Sequence, residues 1–226
     1  MRGLRNAWLV FTSPGSVARD VAERPEWKVP LALVILASVV FTLAMYPYQM
    51  EYQRDVLERW QKDTGTEIDV DSAVKPSVGR QVGSVVGGVV AVVLFTLVAA
   101  AVLNGVAVLA GGVAGFKRMF ALVAYAMVIA SVGNLVKIPL AIAKKSLDVR
   151  MSLAAFAPGL RLESPATILL NSTDVFVVWS LVATAVGFAG LTQLGTKKSA
   201  AIVVALYVVF VLVEVGAAAL GARAMR

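Results

Sequence analysis

Residues 82–109 read VGSVVGGVVAVVLFTLVAAAVLNGVAVL and contain no charged side chain. A run of about 20 apolar residues is long enough to cross the hydrocarbon core of a bilayer as a helix. This run is longer than one crossing needs, so it predicts a transmembrane helix that is tilted or kinked. Its Gly83–Gly87 step favours close approach of a neighbouring helix.

The chain has four further apolar runs, one before this run and three after it. Because hydrocarbon offers the backbone no hydrogen-bond partner, each run is predicted to cross the membrane as a helix. The sequence therefore predicts an all-α membrane protein, a five-transmembrane-helix bundle with N-terminal interfacial amphipathic helices. We expect a cytoplasmic interfacial segment at 1–28, a transmembrane domain at 29–221 with an extracytoplasmic segment at 49–80, and spans at about 29–48, 82–109, 119–143, 173–194 and 200–220.

The composition narrows the range of functions. Hydrophobic residues make up 59% of the 226 residues, compared with roughly 45–50% in soluble domains. The chain contains neither cysteine nor histidine, which excludes disulfides, zinc sites of the usual kind and histidine-dependent catalytic triads. Much of the net charge of +7 flanks apolar runs, so we assign it to orientation and anionic lipid, and we expect no nucleic-acid partner and no cofactor.

Two short loops between spans carry a basic pair and no acid: Lys117–Arg118 and Lys197–Lys198. Cytoplasmic loops of membrane proteins are enriched in lysine and arginine. The two pairs therefore predict a cytoplasmic basic face that includes the N-terminus, with the C-terminus outside. Three basic residues would then lie outside, against this trend: Lys144, Lys145 and Arg150.

The first 28 residues mix apolar and charged side chains. They predict two short amphipathic helices on the membrane surface, with Val17, Ala18 and Val21 facing the lipid. A disordered tail with a few buried anchors is the alternative. The candidate interfacial anchors, aromatic residues of the kind enriched at membrane surfaces, are Trp8, Phe11 and Trp27.

A few polar side chains interrupt the spans and form a candidate intramembrane polar cluster of Asn134, Lys137, Glu214 and Asp174. Asn134 and Lys137 are one turn apart, and depth along the helices allows Lys137 to pair with Glu214. Intramembrane charges normally pair or line a water-filled cavity. The cluster therefore predicts either a buried pair that fixes helix packing or a path for protons or solute, with Asp174 near its outer mouth.

The two larger polar segments carry weaker signals. Three acids between residues 67 and 71 could touch a cation, but the pattern of a calcium-binding loop is absent, and we favour a solvated loop. Residues 152–160 are apolar, contain Pro158 and are expected to dip into the interface. Asn171–Thr173 matches a glycosylation sequon, although we favour a helix N-terminus capped by its serine or threonine.

The sequence offers no enzyme motif. GLTQLGTK at 190–197 departs from a phosphate-binding loop, since Thr196 stands where that motif requires lysine and a membrane helix precedes it. A G-x-S-x-G nucleophile elbow is also absent. We therefore expect a protein that is not an enzyme.

Three segments, taken in order, resemble the Yip1-domain family of five-span membrane proteins. They are FTSP at 11–14 with Trp27 before the first span, LAGGVAGFKR at 109–118 followed by AYA at 124–126, and GTKKSA at 195–200. The resemblance implies a five-helix bundle with a cytoplasmic N-terminus, and it implies no catalytic residues. Eukaryotic members are Golgi and ER proteins tied to Rab GTPases and vesicle traffic, whereas this chain looks more like shorter bacterial members, some of them similar to accessory components encoded with ABC-type exporters.

From these patterns we expect a scaffold or accessory factor for a membrane complex, acting through helix packing in the lipid bilayer. Its partner would be another membrane protein or a second copy of the chain. The alternative is a small solute or proton transporter or channel that uses the polar cluster, and a third hypothesis is lipid binding by the N-terminal segment. The expected location is the inner membrane of a bacterium, and the alternative is an ER or Golgi membrane.

Overall fold

The computed structural model describes residues 2–113, 115–157, 159–162 and 164–224, so Pro158 lies outside it, as does Ala114 of the 109–118 segment. In the described part of the chain, five helices are long and apolar enough to cross a membrane, which confirms the predicted all-α fold. The helices are α1 (Arg2–Thr12), α2 (Pro14–Glu23), α3 (Lys28–Thr64), α4 (Val70–Val74), α5 (Val78–Leu109), α6 (Phe116–Lys144), α7 (Pro165–Asn171), α8 (Val175–Thr192) and α9 (Thr196–Ala224), with a short 3-10 helix at Leu153–Phe156.

Helix α6 occupies the centre of the bundle. It packs against α3, α5 and α8 and also touches α1 and α2. Of its most apolar 18-residue window, 61% is buried, compared with 11% for α5 and for α9. Three of the other spans therefore assemble around α6, whereas α9 packs on α8, and both α5 and α9 lie at the edges and direct most of their surface outward.

Glycines allow α6 and α8 to approach each other closely. A Cβ atom added at Gly133 of α6 would lie 2.7 Å from Cγ and 2.8 Å from Cβ of Phe176 in α8. Gly187 of α8 faces α6 in the same way, because an added Cβ there would overlap Leu122. Close packing of this kind drives helix association in lipid, where the hydrophobic effect between helices is absent.

Helices α1 and α2 form an antiparallel hairpin that turns at Ser13. An ion pair of 2.7 Å between Arg5 and Asp20 joins the two helices on their exposed side. The indole Nε1 of Trp179 in α8 donates a hydrogen bond of 3.1 Å to the carbonyl oxygen of Phe11. Trp179 lies about one turn after the start of α8 and 13 residues, roughly 20 Å at 1.5 Å per residue, before its end, so the tip of the hairpin reaches past the middle of this membrane span, towards its first turns.

The apolar face of the hairpin is covered by protein. Helix α2 packs along α8, and its side chains Val17, Ala18 and Val21 are each 1% exposed. The two helices form as the sequence predicted, but the prediction that these three residues face lipid is wrong. Gly190 of α8 leaves room for the Ala18 methyl group, which lies 3.1 Å from the position of an added Cβ. The apolar face of α2 is therefore covered by α8 and not by lipid.

The three candidate interfacial anchors differ in their surroundings. Trp8 is 72% exposed and faces outward. Phe11 is partly buried and packs against the hydrophobic core. Trp27 packs edge-on against Phe120 of α6, with 5.4 Å between ring centroids. Of the three, Trp8 is therefore the side chain placed to contact lipid with most of its surface.

The two basic loops meet at one end of the bundle, here called the basic end. The amide of Val113 donates a hydrogen bond of 3.0 Å to the carbonyl oxygen of Thr192, and Lys198 Nζ donates one of 2.8 Å to Ala110. The loops therefore lie together at this end, and whether they form the cytoplasmic face stays a prediction. The opposite end, here called the polar end, carries the segments 65–77 and 145–174.

Gly133→Ala should destabilise the protein by about 1–3 kcal/mol, because the added methyl group would force the start of α8 away from α6. Gly83→Ala is the matched control, since an added Cβ there meets nothing within 4 Å and should be neutral or slightly stabilising in a helix interior. Thermal unfolding in lipid nanodiscs measures both variants. Equal melting temperatures would contradict the packing described for α6 and α8.

Candidate functional site

The predicted polar cluster contains one ion pair, between Lys137 of α6 and Asp174 at the start of α8. The Nζ–Oδ2 distance is 3.2 Å, and the aspartate side chain is 5% exposed while the lysine side chain is 28% exposed. Asp174 is also the N-cap of α8, since its Oδ1 accepts a hydrogen bond of 2.8 Å from the Phe176 amide. A negative charge at this position interacts favourably with the helix dipole. The pair therefore ties α6 to the beginning of α8.

The predicted cap at Ser172 or Thr173 is wrong, because both residues terminate the preceding helix instead. The Ser172 hydroxyl donates a hydrogen bond of 2.6 Å to the Leu169 carbonyl, and the Thr173 hydroxyl donates one of 2.7 Å to that of Leu170. Their side chains are thus directed back to α7, and the following residue, Asp174, caps α8.

Glu214 lies apart from this ion pair. It is exposed on α9, and α9 packs against α8 and α7 at the edge of the bundle, whereas Lys137 belongs to the central helix. Lys137 consequently meets the acid at the start of α8, and the Lys137–Glu214 pair allowed by the sequence is not formed. Asn134 is exposed as well, so the structure unites two of the four candidate residues.

Two buried hydroxyl groups, one within α5 and one at the end of α8, bond to their own helices. Thr96 Oγ1 donates a hydrogen bond of 2.7 Å to the carbonyl of Val92, and Thr192 Oγ1 donates one of 2.7 Å to that of Phe188. Back-bonding of this kind satisfies the hydroxyl within the helix. Neither threonine extends the Lys137–Asp174 pair into a longer polar path.

Two acids of the 67–71 stretch have structural partners. Asp69 caps α4, because it accepts hydrogen bonds from the Ser72 hydroxyl and amide. These bonds, the hydroxyl first, lower the pKa of the Asp69 carboxyl, so the stabilisation is present above the ordinary carboxyl pKa and is lost as pH falls through the lowered value. Asp71 forms an ion pair of 2.7 Å with Arg54 of α3, which holds the stretch against the extension of that helix.

Arg150 organises the second polar segment. Its guanidinium pairs with Asp148 and donates hydrogen bonds to the carbonyl oxygens of Ala154, Ala157 and Leu160. The Arg150 side chain is 6% exposed. A basic residue at the polar end is therefore explained by its role in holding a loop together.

The basic end collects positive charge from four separate segments of the chain. Lys117 and Arg118 begin α6, and Lys197 and Lys198 begin α9. The ends of the hairpin add further cations on the same side. The exposed cations at this end include Arg2, Arg24, Lys117, Lys197 and Lys198.

A central helix with three spans packed against it and a fourth packed on α8, with basic loops at one end and folded polar segments at the other, defines a polytopic α-helical membrane protein. The model of the Yip1 domain matches residues 8–218. The chain therefore belongs to the Yip1-domain family, and the match includes the second half of α1, all of α2, the first four spans and most of the fifth. No curated protein and no solved structure matches the chain.

Sequence reasoning missed a buried polar contact between the hairpin and α6. Asn6 is 2% exposed and Tyr125 is fully buried. The Asn6 side chain lies next to the Tyr125 hydroxyl, yet neither Asn6 Oδ1 nor Tyr125 Oη has a hydrogen bond of normal geometry among the described residues. The available signal was an asparagine on the apolar face of a short helix.

Lys137→Ala should lower the free energy of unfolding by about 1–3 kcal/mol, because it leaves the buried Asp174 carboxylate without its cation. The partial exposure of Lys137 keeps this below the cost of breaking a fully buried pair. Glu214→Ala is the control and should change stability by less than about 0.5 kcal/mol. Unfolding in nanodiscs measures the stability of both variants. A larger loss of stability for Glu214→Ala than for Lys137→Ala would refute the assignment of the ion pair to Lys137 and Asp174.

Proposed function

We propose that this Yip1-domain protein is a non-enzymatic scaffold or accessory factor for a membrane complex, and that its partner packs against α5. The observation that carries the proposal is the outward face of α5. Gly79, Gly83 and Gly87 recur at i,i+4 spacing, and a Cβ added at any of them would meet nothing within 4 Å. By contrast, an added Cβ at Gly88 would lie 3.3 Å from Thr42 Oγ1 of α3.

A row of glycines on the outward side of a span favours contact with another helix. Glycine removes the side chain that would otherwise hold two helix backbones apart. Val82, Val86 and Val90 run beside this row and are 55%, 55% and 48% exposed. The resulting groove and ridge are the surface features through which helices interlock. Another membrane protein, or a second copy of this chain, is the partner that we propose.

A small transporter or channel is the rival proposal, and it rests on the Lys137–Asp174 pair. A conducting path would require polar groups across the depth of the bundle. The buried threonines Thr96 and Thr192 bond to their own helices, and Asn134 and Glu214 are exposed. Exposure of Asn134 and Glu214, rather than burial beside Lys137 and Asp174, favours the pair as a packing element and the scaffold as the function.

We also propose that the basic end faces the cytoplasm of a bacterial cell, with an ER or Golgi membrane as the alternative location. The concentration of lysine and arginine at that end supports this orientation. A complex such as an ABC-type exporter would then meet the basic loops on the cytoplasmic side and α5 within the bilayer.

A pair of threonine-to-cysteine variants tests the orientation. Thr196 and Thr66 are both exposed, at the basic and polar ends respectively, and the chain has no native cysteine. A membrane-impermeant maleimide applied to intact cells should label Thr66→Cys and not Thr196→Cys, while lysed cells should label both. The reverse pattern in intact cells would overturn the proposed orientation.

Bulky substitutions on α5 test the scaffold. The double variant Gly83→Leu/Gly87→Leu should reduce recovery of the partner or the oligomer at least about tenfold, because it fills the groove. The control is Gly216→Leu on α9, where an added Cβ also meets nothing within 4 Å. Affinity purification in mild detergent, followed by mass analysis, gives the readout. Equal recovery for the two variants, or wild-type protein that is always a lone monomer, would contradict the proposal.

A further inference from the structure

A surface depression opens at the basic end, where both ends of the hairpin meet the start of α6. Its volume is about 540 Å³, which lies within the roughly 300–1,000 Å³ typical of small-molecule sites. The start of α1, the end of α2, the linker to α3 and the first turn of α6 contribute to it. The lining residues are Arg2, Glu23, Arg24, Pro25, Glu26 and Lys117.

Charges of both signs line the depression without pairing with each other. Among the described residues, no ion pair includes any of the three cations or the two acids. A simple anion bound there would face both glutamates, and a simple cation would face three positive side chains. A ligand that carries both charges a few bonds apart satisfies both groups of side chains.

Two buried polar residues lie deeper on the same helices. Asn6 is one turn beyond Arg2 on α1, and Tyr125 is about two turns beyond Lys117 on α6. Asn6 Oδ1 and Tyr125 Oη are buried without a hydrogen bond of normal geometry among the described residues, although the Asn6 side chain lies next to the tyrosine hydroxyl. Neither residue lines the depression, so the two add polar character beneath it without contacting an occupant.

The surroundings of the depression suit a lipid. Leu4 and Trp8, on the outward side of α1, are 60% and 72% exposed and offer a surface for acyl chains. Trp27 follows Glu26 directly, and tryptophan is enriched at the level of lipid head groups. The polar depression and the apolar side of α1 thus adjoin each other as the two parts of a phospholipid do.

We propose that this depression binds the head group of a phospholipid that carries a primary ammonium group, as in phosphatidylethanolamine. The phosphate contacts Arg2, Arg24 and Lys117, and the ammonium group donates charge-assisted hydrogen bonds to Glu23 and Glu26. A choline head group fits less well, because a quaternary ammonium donates no hydrogen bond and is recognised by aromatic rings, and none of the lining residues is aromatic. This site does not depend on the proposed scaffold function.

Lipid binding to the full-length protein in detergent tests the proposal. Phosphatidylethanolamine, phosphatidylcholine and phosphatidylglycerol with identical acyl chains are titrated, and bound lipid is counted by native mass spectrometry. We expect phosphatidylethanolamine to bind about tenfold more tightly than either of the others, the effect of roughly one charge-assisted hydrogen bond. Equal or tighter binding of phosphatidylcholine or phosphatidylglycerol to the wild-type protein would overturn the proposal without reference to any variant.

Two double variants then separate the charges. Glu23→Gln/Glu26→Gln should abolish the preference for phosphatidylethanolamine over phosphatidylcholine. Arg24→Gln/Lys117→Gln should weaken the binding of both of these lipids about tenfold. Glu58→Gln/Lys62→Gln, which changes like residues around a separate depression at the polar end, should leave the preference intact. If this control and the Glu23/Glu26 variant behaved alike, the site would be refuted. Soluble glycerophosphoethanolamine should bind far more weakly than the lipid, and equal binding would exclude a lipid site.

Discussion

Close packing of small residues around α6 is the interaction on which the rest of the structure depends. Helices in lipid gain little from the hydrophobic effect when they associate, so backbone approach and interlocking side chains decide their arrangement. Gly133 and Gly187 bring α6 and α8 together. The other three spans pack on these two helices, α3 and α5 on α6 and α9 on α8.

Hydropathy predicted the number and order of the spans because the bilayer imposes both length and polarity on any segment that crosses it. In the structure, the helix of the first span continues into the polar segment. That helix runs unbroken to Thr64 and stops at Gly65, whose φ of 67° is readily adopted by glycine. Amphipathicity, however, reveals which side of a helix is apolar and not what covers it, so the sequence could not distinguish burial of α2 on α8 from burial in lipid.

The polar cluster shows a second limit of the same kind. Depth along a helix can be counted from its end, and that count allowed Lys137 to meet Glu214. Whether two side chains meet also depends on which helices are neighbours, and that is set by packing. Because α9 lies at the edge of the bundle, Lys137 pairs with Asp174 at the start of α8. The shared position of the two basic loops was easier to predict. One loop joins the second and third spans and the other joins the fourth and fifth, so two crossings of the membrane separate them and both lie on the same side.

The length of α8 has a consequence for the surrounding membrane. This helix has 18 residues, which gives about 27 Å at 1.5 Å per residue, whereas the average hydrocarbon core is about 30 Å thick. Its ends are fixed, one by the Lys137–Asp174 pair and the other by the Val113–Thr192 hydrogen bond. A span of this length favours local thinning of the bilayer by a few ångströms beside α8, whereas the other four spans are long enough to cross without it.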